Sequence, residues 1–392
     1  MREFDQGQWD SWLGPDAVPH MRWAFLEALE ATGCVRPEVG WLPQHLSLQR
    51  AGKLIGVAPA YVKGNSDGEF VFDHAWARYC QESLGVDYYP KLIVAVPFTP
   101  ATGPRLLHST EIPVDEAHAA LSEGLRRLVD AAGLSSAHVL FVNEPTAEHW
   151  QKAGLLRRYG VQYHWRNDGY ASFDDFLSRF SAKRRHQIRR ERREIAASGI
   201  ELSTLTGREL DAATIDHLYE FYCITVDKHF YGRRYLNREF FHEICARMPD
   251  QILAVLARDK GNPRPIAGAF NLKGERALFG RYWGAREERP FLHFGVCYYA
   301  GIEACIERGL DCFEPGAGGE HKHARGFEST ITHSVHHVRD ARLRGPVERF
   351  LSQERAAIVA GLAAEKPILK GSDPPAADIE GGAANDTELS GL

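Results

Sequence analysis

Two stretches of the chain echo one another, and that echo limits the fold more than any other feature. Around Ile55 the sequence reads LIGVAPAYVKG, followed by FVFDHAW and later PFTPATG. Around Ile266 it reads PIAGAFNLKG, followed by ALFGRYWG and later CFEPGAGG. Phe72 and Trp76 align with Phe279 and Trp283, and Phe98, Pro100 and Gly103 align with Phe313, Pro315 and Gly318. The order is kept and the offset drifts as loop insertions would make it, which points to a duplicated domain. The length agrees: 392 residues exceed one ordinary core and suit two domains of roughly 150–180 residues with a tail.

Each half mixes strands and helices. In the second half, Gln251–Ala257, Pro265–Lys273 and Arg276–Trp283 read as strands of a β-meander. Apolar residues then recur every three or four positions over Leu292–Arg308, an amphipathic helix stopped by Gly309. Leu310–Pro315 follows as a short strand leading into a glycine-rich loop. The first half gives the same order more loosely, with Ala117–Ala132 as a helix and His138–Asn143 as a strand. Meander, helix and strand in that order resemble the core of the GNAT acyltransferase fold. The expected class is therefore α/β (α+β): two tandem GNAT-like domains, each a mixed, largely antiparallel sheet flanked by helices. The expected divisions are residues 1–165, a basic helix within 166–200, a second domain over 201–350 and a helix over 351–370. The stretch 371–392, rich in Gly, Ala, Asp and Pro, is expected to be a disordered tail.

Composition narrows the setting. The seven cysteines are odd in number, scattered and without a CxxC pair, so reduced thiols and a cytoplasmic protein without a structural zinc site are expected. No run of about 18 apolar residues offers a membrane span, and MREFDQGQWDSW lacks the apolar core of a signal peptide. The net charge of −5 leaves any affinity for a polyanion to a local patch. Ser172–Ser198 supplies one. It reads as a helix with Phe176, Phe180, Ile188 and Ile195 on a narrow apolar stripe, and it carries seven basic residues against one glutamate between Lys183 and Arg193. Arg185, Arg189 and Arg192 fall on one face, where like charges repel. Lys183 and these arginines are candidates for contacts to phosphates or to an acidic protein surface. The competing reading is a surface helix whose arginines pair with carboxylates elsewhere.

Chemistry-bearing residues crowd into Phe313–Thr330, FEPGAGGEHKHARGFEST. Gly316, Gly318 and Gly319 allow positive φ and close approach, and their N–H groups suit a developing oxyanion. Glu314, Glu320 and His321 are the candidate bases, the imidazole having the ordinary pKa nearest neutrality. Lys322 and Arg325 suit a phosphate or carboxylate. Arg281, Tyr282 and Trp283 end the neighbouring strand, with Asn271 on the strand before it, as further candidates for donor or substrate contacts. For the aromatic pair, core packing is the stronger reading. His333, His336 and His337 do not match a metal-binding helix and read as strand residues, so no metal is expected. Cys297, Cys305 and Cys312 read as packing residues rather than nucleophiles, and Gly64–Gly68 as a turn.

The segments YYPKL and VPFTPATGPRLL, HWRNDGY with FDDFL and QIRRERR, NLKG with FGRYWG, and FEPGAGGEHKHARGF together resemble one bacterial family. It is the FemAB-like, double-GNAT family labelled peptidoglycan biosynthesis/recognition, and the resemblance spans about residues 1–345. It implies an aminoacyl or acyl transferase that forms an amide on a small amine acceptor. The donor it implies is aminoacyl-tRNA, with no bound cofactor; acyl-CoA and a non-catalytic recognition protein are the alternatives. The chain departs from the family at Gly295, where an acidic residue is usual after His-Phe. Nor does the helix start supply the glycine pattern that holds the pyrophosphate of coenzyme A.

Overall fold

Runs of β-branched and aromatic residues build an eleven-stranded sheet. From edge to edge its strands are Trp41–Pro43, Ala60–Lys63, Lys91–Val94, Ser136–Val142, Glu328–Val338, Leu156–Arg166, Cys312–Glu314, Ala277–Ala285, Pro265–Lys273, Ile252–Asp259 and Ile200–Thr206. This computed structural model describes residues 1–14, 16, 18–228 and 232–371, apart from the side chain of Glu320. From residue 372 onward the expected tail lies outside the described residues.

Each half contains one parallel pair, Lys91–Val94 with Ser136–Val142 and Ala277–Ala285 with Cys312–Glu314. The other neighbours in the sheet are antiparallel. Between the parallel strands run the helices Val114–Ala131 in the first half and Leu292–Arg308 in the second. The second of these widens by one residue per turn over Gly295–Tyr299 and stops at Gly309, whose φ of 62° needs no Cβ. The meander, helix and strand of the second half thus stand where the sequence put them.

The halves are interleaved rather than merely tandem. Leu156–Arg166 lies between the second half's Cys312–Glu314 and Glu328–Val338, and Glu328–Val338 in turn pairs with Ser136–Val142 of the first half. A single apolar cluster also joins them, running from Phe25 and Leu29 through Phe98 to Phe240, Phe270 and Phe279.

Four sequence expectations are corrected. FVFDHAW is not the counterpart of the strand that holds ALFGRYWG: Phe72 is exposed in a loop, and Trp76 lies on the helix His74–Tyr79. Pro97–Gly103 follows the counterpart of Ala277–Ala285, so by topology it is not the twin of 313–318. The aligned aromatic, proline and glycine residues recur because tight turns need them, not because the positions correspond. The basic segment forms two helices, Phe173–Ser178 and Ala182–Ala197, because the Ser181 hydroxyl caps a new helix at the Arg184 N–H while Phe180 turns into the core. The C-terminal helix spans Ala341–Ala364 rather than 351–370.

Gly284 shows how tightly the second half is packed. The helix Ala212–Asp227 crosses the strand Ala277–Ala285 there, and a Cβ on Gly284 would overlap the Phe221 carbonyl. Thr225 fixes the approach by donating its hydroxyl proton to the Trp283 carbonyl at 2.6 Å. Gly284→Ala is expected to cost about 3 kcal/mol, the upper end of ordinary overpacking, because the neighbour is backbone and cannot move aside. Chemical denaturation checks it, and a loss below about 1 kcal/mol would contradict this packing.

Candidate active site

Strand register decides which side chains meet at the junction of the halves. Arg166 pairs across from Cys312, and Cys312 from Ala277; Phe279 pairs across from Glu314. Alternation puts His164, Arg166, Cys312, Glu314, Ala277 and Phe279 on one face. Trp165, Phe313 and Leu278 project to the other face, into an apolar cluster. The polar face opens into a cavity of about 360 Å³, walled also by Thr102, Gly103, Asn143, Glu275, Arg276 and Asp311. The loop after Lys91–Val94 covers it. In that loop the Thr102 N–H donates to Glu314 Oε2 at 3.1 Å, and the Gly103 N–H donates to the Phe141 carbonyl at 3.0 Å.

Glu314 is the buried carboxyl of this cavity. Burial pushes its carboxyl up to about 7, against the pull of the Thr102 N–H, Arg105 and Arg166. Arg105 is itself wholly buried, which lowers it to about 9, and its guanidinium is held by the carbonyls of Ala101, Gly103 and Pro104. His164 Nε2 lies 3.9 Å from Glu314 Oε2, and burial holds that imidazole neutral, down to about 3. His20, buried and lowered further by Arg281 and Arg105, is neutral too. Both ring nitrogens of His20, Arg105 Nε, Arg281 Nε and the Thr102 hydroxyl are buried without a partner. Unmatched polar atoms at such density are uncommon in a folded interior and mark a place where strain or a ligand is accommodated. Cys312 faces the cavity, but burial pushes its thiol up to about 12, which leaves it unsuited to nucleophilic attack near neutral pH.

The other sequence candidates land elsewhere. Gly316, Gly318 and Gly319 take φ of 91°, 70° and 89°. Lys322 Nζ donates to the Gly316 carbonyl at 2.6 Å and is buried, its pKa lowered to about 8. Arg325 reaches both oxygens of Glu191 at 3.1 Å, donates to the His321 carbonyl and covers the Phe294 ring at 3.2 Å. Lys322 and Arg325 therefore hold the loop rather than await an anion. His321 sits beside Tyr298, its Nε2 2.8 Å from the phenol oxygen, and burial with Arg325 and Lys322 lowers its pKa. Glu320 opens the turn Glu320–Arg325, and its side chain lies outside the described residues. Of the predicted site residues, Glu314 alone lines the cavity among those described.

Arg281 is the extra residue of a bulge between Tyr282 and Gly280, and its guanidinium donates to the Phe98 carbonyl across the junction. Tyr282 packs edge-on against Tyr222 at 5.0 Å, and Trp283 lies 4.3 Å from the His293 ring. Asn271 is buried and donates to the Leu253 carbonyl, a contact within the sheet. On the basic helix, Arg185 approaches the carbonyls that end the preceding helix, Arg189 pairs with Asp174 at 2.9 Å, and Arg192 pairs with Glu303 over the Phe173 ring. The carboxylate-pairing reading holds for Arg189 and Arg192. Lys183 and Arg193 are exposed and carry no ion pair among the described residues. Gly295 is buried, and a Cβ there would lie 2.7 Å from Ile195 Cδ1, so a side chain at this position requires the end of Ile195 to shift.

Thr102, Arg105, His164 and Arg166 were not singled out from the sequence. Alternation in HWR was the one available signal, because only the tertiary fold brings these segments to Glu314.

Two α/β halves, each with one parallel strand pair and a helix between its strands, share one sheet with a polar cavity at their junction. The chain belongs to the FemAB-like family, described as peptidoglycan biosynthesis/recognition, whose model matches residues 1–367. Among solved structures it is similar to that of FemX, with 12% identity, a TM-score of 0.53, and 88% of this chain and 98% of that one covered. It is also similar to L-PGS from Bacillus licheniformis, with 9% identity, a TM-score of 0.51 and coverage of 88% and 97%. A third likeness is to the C-terminal domain of a putative lysylphosphatidylglycerol synthetase from Agrobacterium fabrum, with 11% identity, a TM-score of 0.50 and coverage of 85% and 91%. At such identities the likeness is one of fold. No curated protein sequence matches the chain. No helix among the described residues is long and apolar enough to cross a membrane.

Proposed function

We propose that the protein is a Fem-type transferase that forms an amide bond on an amine bound in the junction cavity, with Glu314 as the proton acceptor. The carrying observation is a buried carboxyl at the cavity wall with its pKa raised to about 7, where a general base is most effective near neutral pH. The acceptor nitrogen attacks the donor's carbonyl carbon, the new C–N bond forms, and the proton shed by nitrogen passes to Glu314. The donor's C–O bond then breaks, and the same carboxyl returns the proton to the leaving oxygen.

Family membership and the FemX-like fold favour aminoacyl-tRNA as donor. The helix beginning at Leu292 supports this reading against coenzyme A, because it lacks a glycine cradle and its Gly295 N–H is already spent on the Phe291 carbonyl. Titrating tRNA binding against salt tests the donor. Several phosphate contacts give a log–log slope of about 0.7–0.9 per contact. Replacing Lys183 and Arg193 by Ala is expected to flatten that slope by about one to two units. Absence of tRNA binding, with product formed from acyl-CoA alone, would overturn the tRNA reading. Mass spectrometry of products after incubation with charged tRNA and amines identifies the group transferred.

A further inference from the structure

The cavity's charges are unequally engaged. Arg276 is committed, its guanidinium joined to Asp311 at 2.6 Å and to Asp16 at 3.0 Å. Arg166, at the exposed end of its strand, has no ion pair and no side-chain hydrogen bond among the described residues. It stands two positions along the same face from Glu314, because Cys312 is its register partner. Two residues of strand span about 7 Å, which leaves room between guanidinium and carboxylate for a molecule that carries an anion close to an amine. The volume of about 360 Å³ lies at the small end of ligand pockets. Those dimensions suit an amino acid or the free end of a short peptide better than a nucleotide.

We infer that Arg166 anchors the carboxylate of the acceptor, so that the cavity takes a zwitterion, an amino acid or short peptide, and presents its amine to Glu314. This inference rests on the proposal that the cavity holds the acceptor. A planar guanidinium grips a carboxylate through two parallel hydrogen bonds, which fixes orientation as well as affinity. Affinity reads the Arg166 anchor and turnover reads Glu314, and removing the Arg166 charge also removes one of the pulls that lower the Glu314 carboxyl.

The test is ligand-observed NMR on the full chain with the twenty L-amino acids, their carboxamides and O-phosphoethanolamine. At least one amino acid is expected to bind, its carboxamide at least ten-fold more weakly. Arg166→Gln is expected to bring the two to equal, weak affinity, and Arg166→Lys to fall between. Arg166 has no partner to lose, so neither variant should alter the fold, which a melting curve verifies. Preference for O-phosphoethanolamine over every amino acid would replace carboxylate by phosphate as the anchored group and overturn the zwitterion assignment. Equal binding of acid and carboxamide, no binding by any amino acid, or binding unchanged in Arg166→Gln would each overturn it as well. Amino-acid binding that survives alongside full turnover in Glu314→Gln would instead sink the proton-acceptor role and leave the Arg166 anchor standing.

Discussion

Glu314→Gln is expected to lower kcat by about 10²–10⁴-fold, the usual worth of a positioned general base, while the chain remains folded. Gln is nearly isosteric and still offers an oxygen to the Thr102 N–H, so the loop over the cavity keeps its anchor. The wild-type rate should rise with pH through about 7, where the Glu314 carboxyl ionises, and this limb should vanish in the variant. Stability should respond with the opposite sign. The folded chain holds a proton up to about 7 that the unfolded chain releases near the ordinary 4.5, so ionising Glu314 costs the folded state. Wild-type stability therefore falls as pH rises from about 4.5 to about 7, and levels off above that. Gln removes this penalty. The variant should gain on the wild type over that window, by up to about 3 kcal/mol at full ionisation. An unchanged rate, or a rate lost together with stability, would rule out the base role.

Glu191→Ala is expected to cost about 3–5 kcal/mol, the loss seen when one partner of a buried ion pair is removed. Glu191 is the one glutamate among the seven basic residues between Lys183 and Arg193, and it is buried. It holds Arg325 through both oxygens and accepts from the Tyr299 hydroxyl. Removing it leaves a guanidinium buried against Phe294 with no counter-charge. Replacing both partners by methionine should restore most of the loss, because the pair's desolvation cost disappears with it. Urea unfolding of the two variants distinguishes the cases. A loss under about 1 kcal/mol in Glu191→Ala would show that Arg325 finds water or another partner.

The two cases show which residues the sequence made legible. Pro265–Lys273 and the helix over Leu292–Arg308 were readable because their apolar spacing is local, and each occupies the predicted range. Glu314 was readable as a candidate because it lies beside a glycine-rich loop. Lys322 and Arg325 were assigned to an external anion because sequence shows a charge but not its partner. Lys322's partner is a carbonyl six residues away, and Arg325's lies 134 residues away. The Phe72 and Trp76 alignment failed for a related reason: residue types recur in turns and helices that occupy different places.

Taken alone, the sequence determined a duplicated α/β architecture, the element order of the second half and a carboxylate near a glycine turn. Periodicity and backbone permissiveness act over a few residues, and a linear reading captures them. The tertiary structure decided that the halves exchange strands, that His164 and Arg166 stand beside Glu314, and that the basic helix yields its glutamate to the core. Those outcomes depend on register and burial between distant segments. Local periodicity fixes the kind of fold, but the cavity exists only where strands of both halves share one face.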